Sequence, residues 1–192
     1  MNKVLIEKAR KFVESECRKP TNKYGYGLYV EHFVPMQNHA KKLCHKLAGN
    51  PEIISIAAWL HDIDSMMIGR KDHHLTSARI ARDFLEKQNY DPQKTTIVLA
   101  CIEHHRQSTS FNRETLEEKI IADADAICNF DMLPGLFYVT LVVEKLTPIL
   151  AAKSIKKKLE NKWRRLHFNE SKKLVKPKYQ ATMLLSEEIT KP

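Results

Sequence analysis

Residues 52–64, EIISIAAWLHDID, run an apolar segment straight into a histidine and a carboxylate. Ile53, Ile54, Ile56, Ala57, Ala58, Trp59 and Leu60 leave almost no polar face, so this stretch belongs in a core. A charge at the end of such a run is costly to desolvate, and buried carboxylates are accordingly paired or bound to metal. Asp62 is therefore a metal-ligand candidate on local grounds alone, with His61 beside it.

At 192 residues the chain can bury a full core without disulfides or structural zinc, and one domain over 1–192 is expected. Five glycines, against abundant Leu, Ile, Ala, Lys and Glu, favour helices over turn-rich β architecture. Cys17, Cys44, Cys101 and Cys128 are far apart and form no Cys-x-x-Cys pair. They read as reduced thiols of a cytoplasmic protein. The opening MNKVLIEKARKFVESE is charged throughout, unlike a signal peptide. No segment approaches the roughly 20 apolar residues that span a bilayer, and no membrane partner is expected.

The net charge of +9 is concentrated. Residues 145–178 hold twelve Lys and Arg against Glu160 and Glu170, a net of +10, so the remainder sums to −1. A solvated basic helical surface accounts for this run. A surface that attracts polyanions such as nucleic acid, acidic lipid or a phosphorylated substrate is a weaker expectation, because no nucleic-acid motif accompanies the charge.

Helical periodicity runs through the chain. Val4, Leu5, Lys8, Phe12 and Val13 fit a first amphipathic helix. A second, over about 29–48, aligns His32, Met36, Ala40, Leu43 and Leu47, and Gly49 is its expected stop. Asn50-Pro51-Glu52 supplies an N-cap, a first-position proline and a first-turn acid for a third, ending near Asp64. After a polar loop with Gly69, Arg70 and Lys71, Asp72 is placed to cap a fourth helix with Leu75, Ala78, Ala81 and Leu85 inward. Asp91-Pro92 opens a fifth that runs to His104-His105. The loop RQSTSFN precedes a sixth over roughly 113–130, Pro134-Gly135 precedes a basic helical region, and Pro177 is a potential break in the last helix. The expected fold is all-α, a single compact helical bundle.

Nine histidines are many for this length, and their positions matter more than their number. His32 lies on an apolar stripe, His61-Asp62 end one helix, and His73-His74 begin another. His104-His105 end a third, while Asp123 and Asp125 interrupt the apolar KIIADADAIC. Taken singly, each has an ordinary structural explanation; together they suit a first-row metal with nitrogen and oxygen ligands. No thiolate accompanies them, which argues against a closed structural zinc site. His39, His45 and His167 lack this support and read as structural or surface residues.

These residues resemble the HD-domain metal-dependent phosphohydrolases, over roughly residues 28–130, with basic helices over about 135–190. His32 stands 29 residues before His61, EHFVPMQNHAKKLC and AAWLHDI resemble the family's ligand helix and its run into His-Asp, and IADADAICNF resembles its Ala-Asp segment. The register favours Asp125 over Asp123. HHLTSARIARDFL and CIEHHR resemble the additional ligands of the family's two-metal branch.

The resemblance implies His32, His61, Asp62 and Asp125 around one divalent ion, and His73 (or His74), His104, His105 and a bridging Asp62 around a second. Mn, Fe, Mg, Co and Zn all tolerate such ligands. It implies hydrolysis of a phosphomonoester or phosphodiester, on a small nucleotide-like phosphorylated substrate, by a metal-activated water. Arg106 would recognise phosphate, and Asp64 or Glu103 would relay protons. Where several phosphodiesterase members follow His-Asp-Ile with Gly-Lys, this chain has Asp64-Ser65, which passes the phosphate contact to Arg70, Lys71 or Arg106. The alternatives are a mixed-valence di-iron oxygenase of the same fold and a basic polyanion-binding module with a structural metal. Oligomeric state is left open.

Overall fold

The computed structural model describes residues 1–22, 24–66, 72–106 and 112–191. Among them every regular element is helical, which is the all-α architecture expected. In order these are α1 (Lys3–Cys17), α2 (Val34–Leu47), α3 (Pro51–Leu60), α4 (His73–Lys87), α5 (Pro92–His104), α6 (Leu116–Asp131), α7 (Leu133–Tyr138), α8 (Pro148–Arg164) and α9 (Asn169–Thr190). A π-helical segment, Tyr29–Phe33, precedes α2, a 3₁₀ turn, Ile63–Met66, follows α3, and a second π segment, Val139–Val143, follows α7. Arg70, Lys71 and Gly69, with most of the RQSTSFN loop, lie outside the described residues. The chain divides into two compact units, Met1–Asp125 and Ala126–Pro192.

In the first unit α3 is the central element. Asn50 caps it, its side chain accepting from Glu52 N and Ile53 N, and Pro51 occupies the first turn, where its missing N–H has no partner to lose. Nine of its ten residues are buried, against α1, α2 and α5. Gln37 of α2 donates from Nε2 to Ser55 O at 3.0 Å, so even the polar groups inside this contact are matched.

The end of α2 departs from the expected glycine stop. Ala48 takes the left-handed conformation, at φ 56°, and its N–H caps Cys44 O. Gly49 has a different reason to be small. A Cβ there would lie 2.8 Å from Ile54 Cδ1 and 2.9 Å from Ile120 Cδ1, tighter than real contacts allow.

Other helix faces also differ in detail. Val4 and Lys8 face solvent, and the buried positions of α1 are Leu5, Ala9, Val13, Glu16 and Cys17. Leu75 is 51% exposed, while His74, Ser77, Ala78, Ala81 and Leu85 are the inner positions of α4. The rotation brings the polar first turn of α4 inward. Asp72 does precede α4, but in the left-handed region and without a side-chain cap bond.

The second unit contains α7, α8 and α9. α8 packs on α9, with Ala151, Ala152, Ile155 and Leu159 buried, and Trp163 stacks on Tyr179 at 4.6 Å. Lys178 pairs with Asp131. Pro177 does not break α9, which continues through it for 22 residues.

Glu52 ties three helices of the first unit. It accepts from Asn2 N at 2.5 Å, Tyr90 Oη at 2.9 Å and Lys94 Nζ at 2.9 Å, with its side chain 8% exposed. Burial would raise its pKa, but Lys94, the Asn2 amide and Tyr90 overcome that and hold it at about 2. A carboxyl depressed from its usual 4.5 stabilises the fold fully above that value and loses its contribution as pH falls toward 2. Glu52→Ala should therefore cost roughly 3 kcal/mol at pH 7, measured by urea unfolding. The difference from the native chain should shrink progressively between pH 4.5 and pH 2. A pH-independent difference would show that Glu52 acts through packing instead.

Candidate metal centre

His61 and Asp62 follow directly on the buried helix α3. Leaving a largely apolar helix, the chain must satisfy its last carbonyls, and His61 does so with its own ring. Its Nδ1 donates to Ala58 O at 3.0 Å, which leaves Nε2 as the atom with a lone pair. His105 repeats the device at the end of α5, where its Nδ1 donates to Ile102 O at 2.6 Å. Two histidines thus cap two helices, each offering Nε2. Helix C-termini carry partial negative charge, so both ends favour a cation in front of them.

His32 comes from the π segment. Val34 N–H reaches back to Tyr29 O, one residue further than in an α-helix. The segment is held from outside: Arg10 Nη1 donates to Tyr29 Oη at 2.9 Å, and the Tyr29 ring stacks on Trp59 at 5.9 Å. His32 Nε2 then lies 3.0 Å from His61 Nε2.

Asp62 is the shared corner. Its Oδ2 faces His32 Nε2 at 3.6 Å and His61 Nε2 at 3.7 Å. Its Oδ1 faces His73 Nε2 at 3.2 Å and His105 Nε2 at 3.3 Å. His32, His61 and Asp62 offer ligand atoms all within 4.8 Å of one another, and so do Asp62, His73 and His105. His73, the first residue of α4, reaches this corner; its neighbour His74 is buried beside it with rings 5.8 Å apart.

The donor set fits a divalent ion. Asp62 Oδ1 is screened from solvent and takes part in no hydrogen bond of ordinary geometry, despite the two imidazole nitrogens near it. An orphaned carboxylate oxygen ringed by imidazole nitrogens is the coordination chemistry of first-row metals. Protonation states agree. Burial would raise Asp62, but His61, His105 and His32 outweigh it and hold the carboxyl well below its usual range. Burial pushes His61 down to about 3, so at neutral pH it is the neutral ligand form. For His105 burial also works downward, but the facing Asp62 carboxylate prevails and raises it.

The remaining expected residues fall into three positions. Asp125 is buried in α6, and its charge acts on both His61 and His105, although it stands outside the two tight groups. Asp64 is 1% exposed, and its backbone N–H donates to Ser77 Oγ at 3.1 Å, tying the 3₁₀ turn to α4. Arg106 directly follows His105, and its charge is felt by His74, whose pKa is lowered by burial first and by neighbouring cations second.

His104, expected among the ligands, is not brought to Asp62 within either group. Its Nδ1 lies 3.2 Å from Glu118 Oε1. Glu118 closes a capping box, taking Thr115 N at 3.1 Å on Oε2 while Thr115 Oγ1 accepts Glu118 N at 3.2 Å. Arg113 completes the junction, donating from Nε to His104 O at 2.7 Å and from Nη2 to Arg106 O at 3.2 Å. Sequence inspection passed over Arg113 and Glu118, although Thr115-x-x-Glu118 is a readable helix-start signal.

Calorimetric titration with Mn²⁺ should distinguish the two sides of Asp62. His61→Ala should weaken one binding event and His105→Ala the other, each by more than the roughly 10–100-fold that even outer partners of a ligand command. Asp62→Ala should weaken both, and the exposed His45→Ala neither. Equal titrations for native chain and Asp62→Ala would remove the carboxylate from the site.

The sequence pattern that describes the HD domain matches residues 29–129. No curated protein matches this chain by sequence. Several solved structures share its fold, three of them as follows. A Lactobacillus plantarum protein is 17% identical at a TM-score of 0.78, covering 97% of this chain and 95% of its own. An HD-superfamily hydrolase from Bacillus thuringiensis is 18% identical at 0.74, covering 98% and 96%. YpgQ of Bacillus subtilis, solved in complex with ADP, is 16% identical at 0.68, covering 96% and 95%. With the match spanning more than half of its length and both residues of the family's His-Asp pair at the metal corner, this chain belongs to the HD-domain family.

Proposed function

We propose that the chain is a metal-dependent phosphohydrolase acting on a phosphomonoester or phosphodiester of a small nucleotide-like substrate. The observation that carries this reading is the geometry of Asp62, whose two oxygens each face a separate pair of imidazole nitrogens. That is what a carboxylate bridging two ions requires. The Bacillus thuringiensis relative is described as a hydrolase and YpgQ is described with ADP, which support hydrolysis and a nucleotide-like substrate in turn.

In this reading His32, His61 and Asp62 would hold one divalent ion, with Asp125 supporting it from α6, and His73 and His105 would hold a second together with Asp62. Such ions supply Lewis-acid polarisation of phosphoryl oxygens and a nucleophilic water at neutral pH.

The chain's own residues do the rest. Burial works against the charge of Asp62, but hydrogen bonding from His105 and His32 helps hold its carboxyl below the usual range. His61 stays neutral, so it keeps a lone pair on Nε2. Arg106, which follows His105 and whose charge reaches His74, would offer a planar guanidinium to phosphate oxygens two at a time. Asp64, buried two residues after Asp62, would take up the proton of the attacking water. Arg113 fixes the carbonyls of His104 and Arg106 and so keeps the end of α5 in register with Asp62.

With Mn²⁺ present, the protein should release phosphate from nucleoside phosphates. Asp62→Ala should lower kcat/KM by about 10³-fold or more, equivalent to roughly 4 kcal/mol of lost transition-state stabilisation. Arg106→Ala should mainly raise KM, by about tenfold. Full turnover by Asp62→Ala at unchanged metal content would refute the assignment. Oxygen consumption with iron, in place of phosphate release, would identify an oxygenase.

A further inference from the structure

We infer that the tip of the second unit, where the π segment Val139–Val143 meets the start of α8, seats on an anionic lipid surface. Leu141, Val142 and Val143 are 37%, 54% and 63% exposed, and Ile149 and Leu150 are 49% and 50% exposed. The chain between them reverses tightly. Glu144 N bonds Val139 O at 2.8 Å and Leu146 N bonds Thr140 O at 2.9 Å, with Lys145 in the left-handed region. Thr147 Oγ1 then accepts Leu150 N and starts α8, which packs against both α7 and the π segment. Five large exposed apolar side chains therefore lie on two segments packed against each other, the π segment and the start of α8. Contiguous exposed apolar groups of this kind mark a surface that meets another apolar phase.

The charges behind the tip select the occupant. Ile149, Lys153 and Lys157 follow one another at four-residue steps along α8, opposite the buried Ala151, Ala152, Ile155 and Leu159. Both lysines are exposed. At 1.5 Å per residue they stand about 6 and 12 Å behind Ile149 along the axis. Apolar groups of surface-bound helices reach about 5–10 Å into the headgroup and acyl boundary, which puts these cations at the level of lipid phosphates. Glu144 is the acid of this segment, set against Lys145, Lys153 and Lys157, while Lys156 pairs with Glu187 at 3.2 Å. The wider region, 145–178, carries a net +10.

A second copy suits this surface less well. A two-fold contact through the tip would bring each Lys153 and Lys157 toward the same residues of the other copy. The sequence-based expectation of no membrane partner rested on spanning length. No single helix among the described residues is long and apolar enough to cross a membrane, but a segment lying on the surface needs no such length.

Co-sedimentation of the full chain with vesicles tests this. The protein should pellet with vesicles of phosphatidylcholine containing about 30% phosphatidylserine, and much less with phosphatidylcholine alone. V143D with I149D should reduce the bound fraction about tenfold or more, as should K153E with K157E. All four positions are exposed, so the thermal unfolding midpoints should stay those of the native chain. An equal bound fraction for native and V143D/I149D proteins would overturn the proposal, and so would a native protein that stays in solution. A concentration-dependent dimer in sedimentation velocity, abolished by V143D/I149D, would assign the tip to a second copy instead.

Discussion

A half-buried carboxylate with a pair of imidazole nitrogens facing each of its oxygens is the arrangement on which the rest of the site depends. Burial by itself would drive Asp62 toward its protonated form. The chain prevents this by surrounding both oxygens with imidazoles from four separate elements: the π segment, the end of α3, the start of α4 and the end of α5. The histidines are in turn oriented from behind. His61 and His105 spend Nδ1 on helix-end carbonyls that would otherwise lack partners, and this directs Nε2 at Asp62. One structural need, capping an apolar helix, thereby produces a chemical one.

The scaffold concentrates its order where the corner requires it. α3 is buried along nearly its whole length, and it is fastened at its first turn by Glu52 and at its last by His61. The π segment is braced through Tyr29 by Arg10 and Trp59, so the wider turn that carries His32 is fixed on both sides. α5 is secured by Arg113 and by the His104–Glu118 contact.

Much of this was legible because it follows from local rules. The apolar run ending in His61-Asp62, the Asn50-Pro51 and Asp91-Pro92 helix starts, and the inward stripe of Met36, Ala40 and Leu43 are single-helix patterns, and each element lies where its pattern put it. What periodicity missed depended on contacts between distant segments. Gly49 faces both Ile54 and, from 71 positions away, Ile120, while the left-handed turn falls to Ala48. Leu75 is turned outward because His73 and His74 are drawn inward, a rotation no helical wheel of α4 could anticipate. The His104-His105 pair looks equivalent in sequence. Only the position of Glu118 on the next helix separates their roles.

The account stands on two ions sharing one carboxylate. Crystals of the full chain grown with Mn²⁺, with diffraction recorded near the manganese absorption edge, would locate them without reference to activity. Two anomalous peaks are predicted. One should lie between Asp62 Oδ2 and the His32 and His61 nitrogens, and the other between Oδ1 and those of His73 and His105. An anomalous map with no density at Asp62, or with manganese bound only elsewhere, would contradict it.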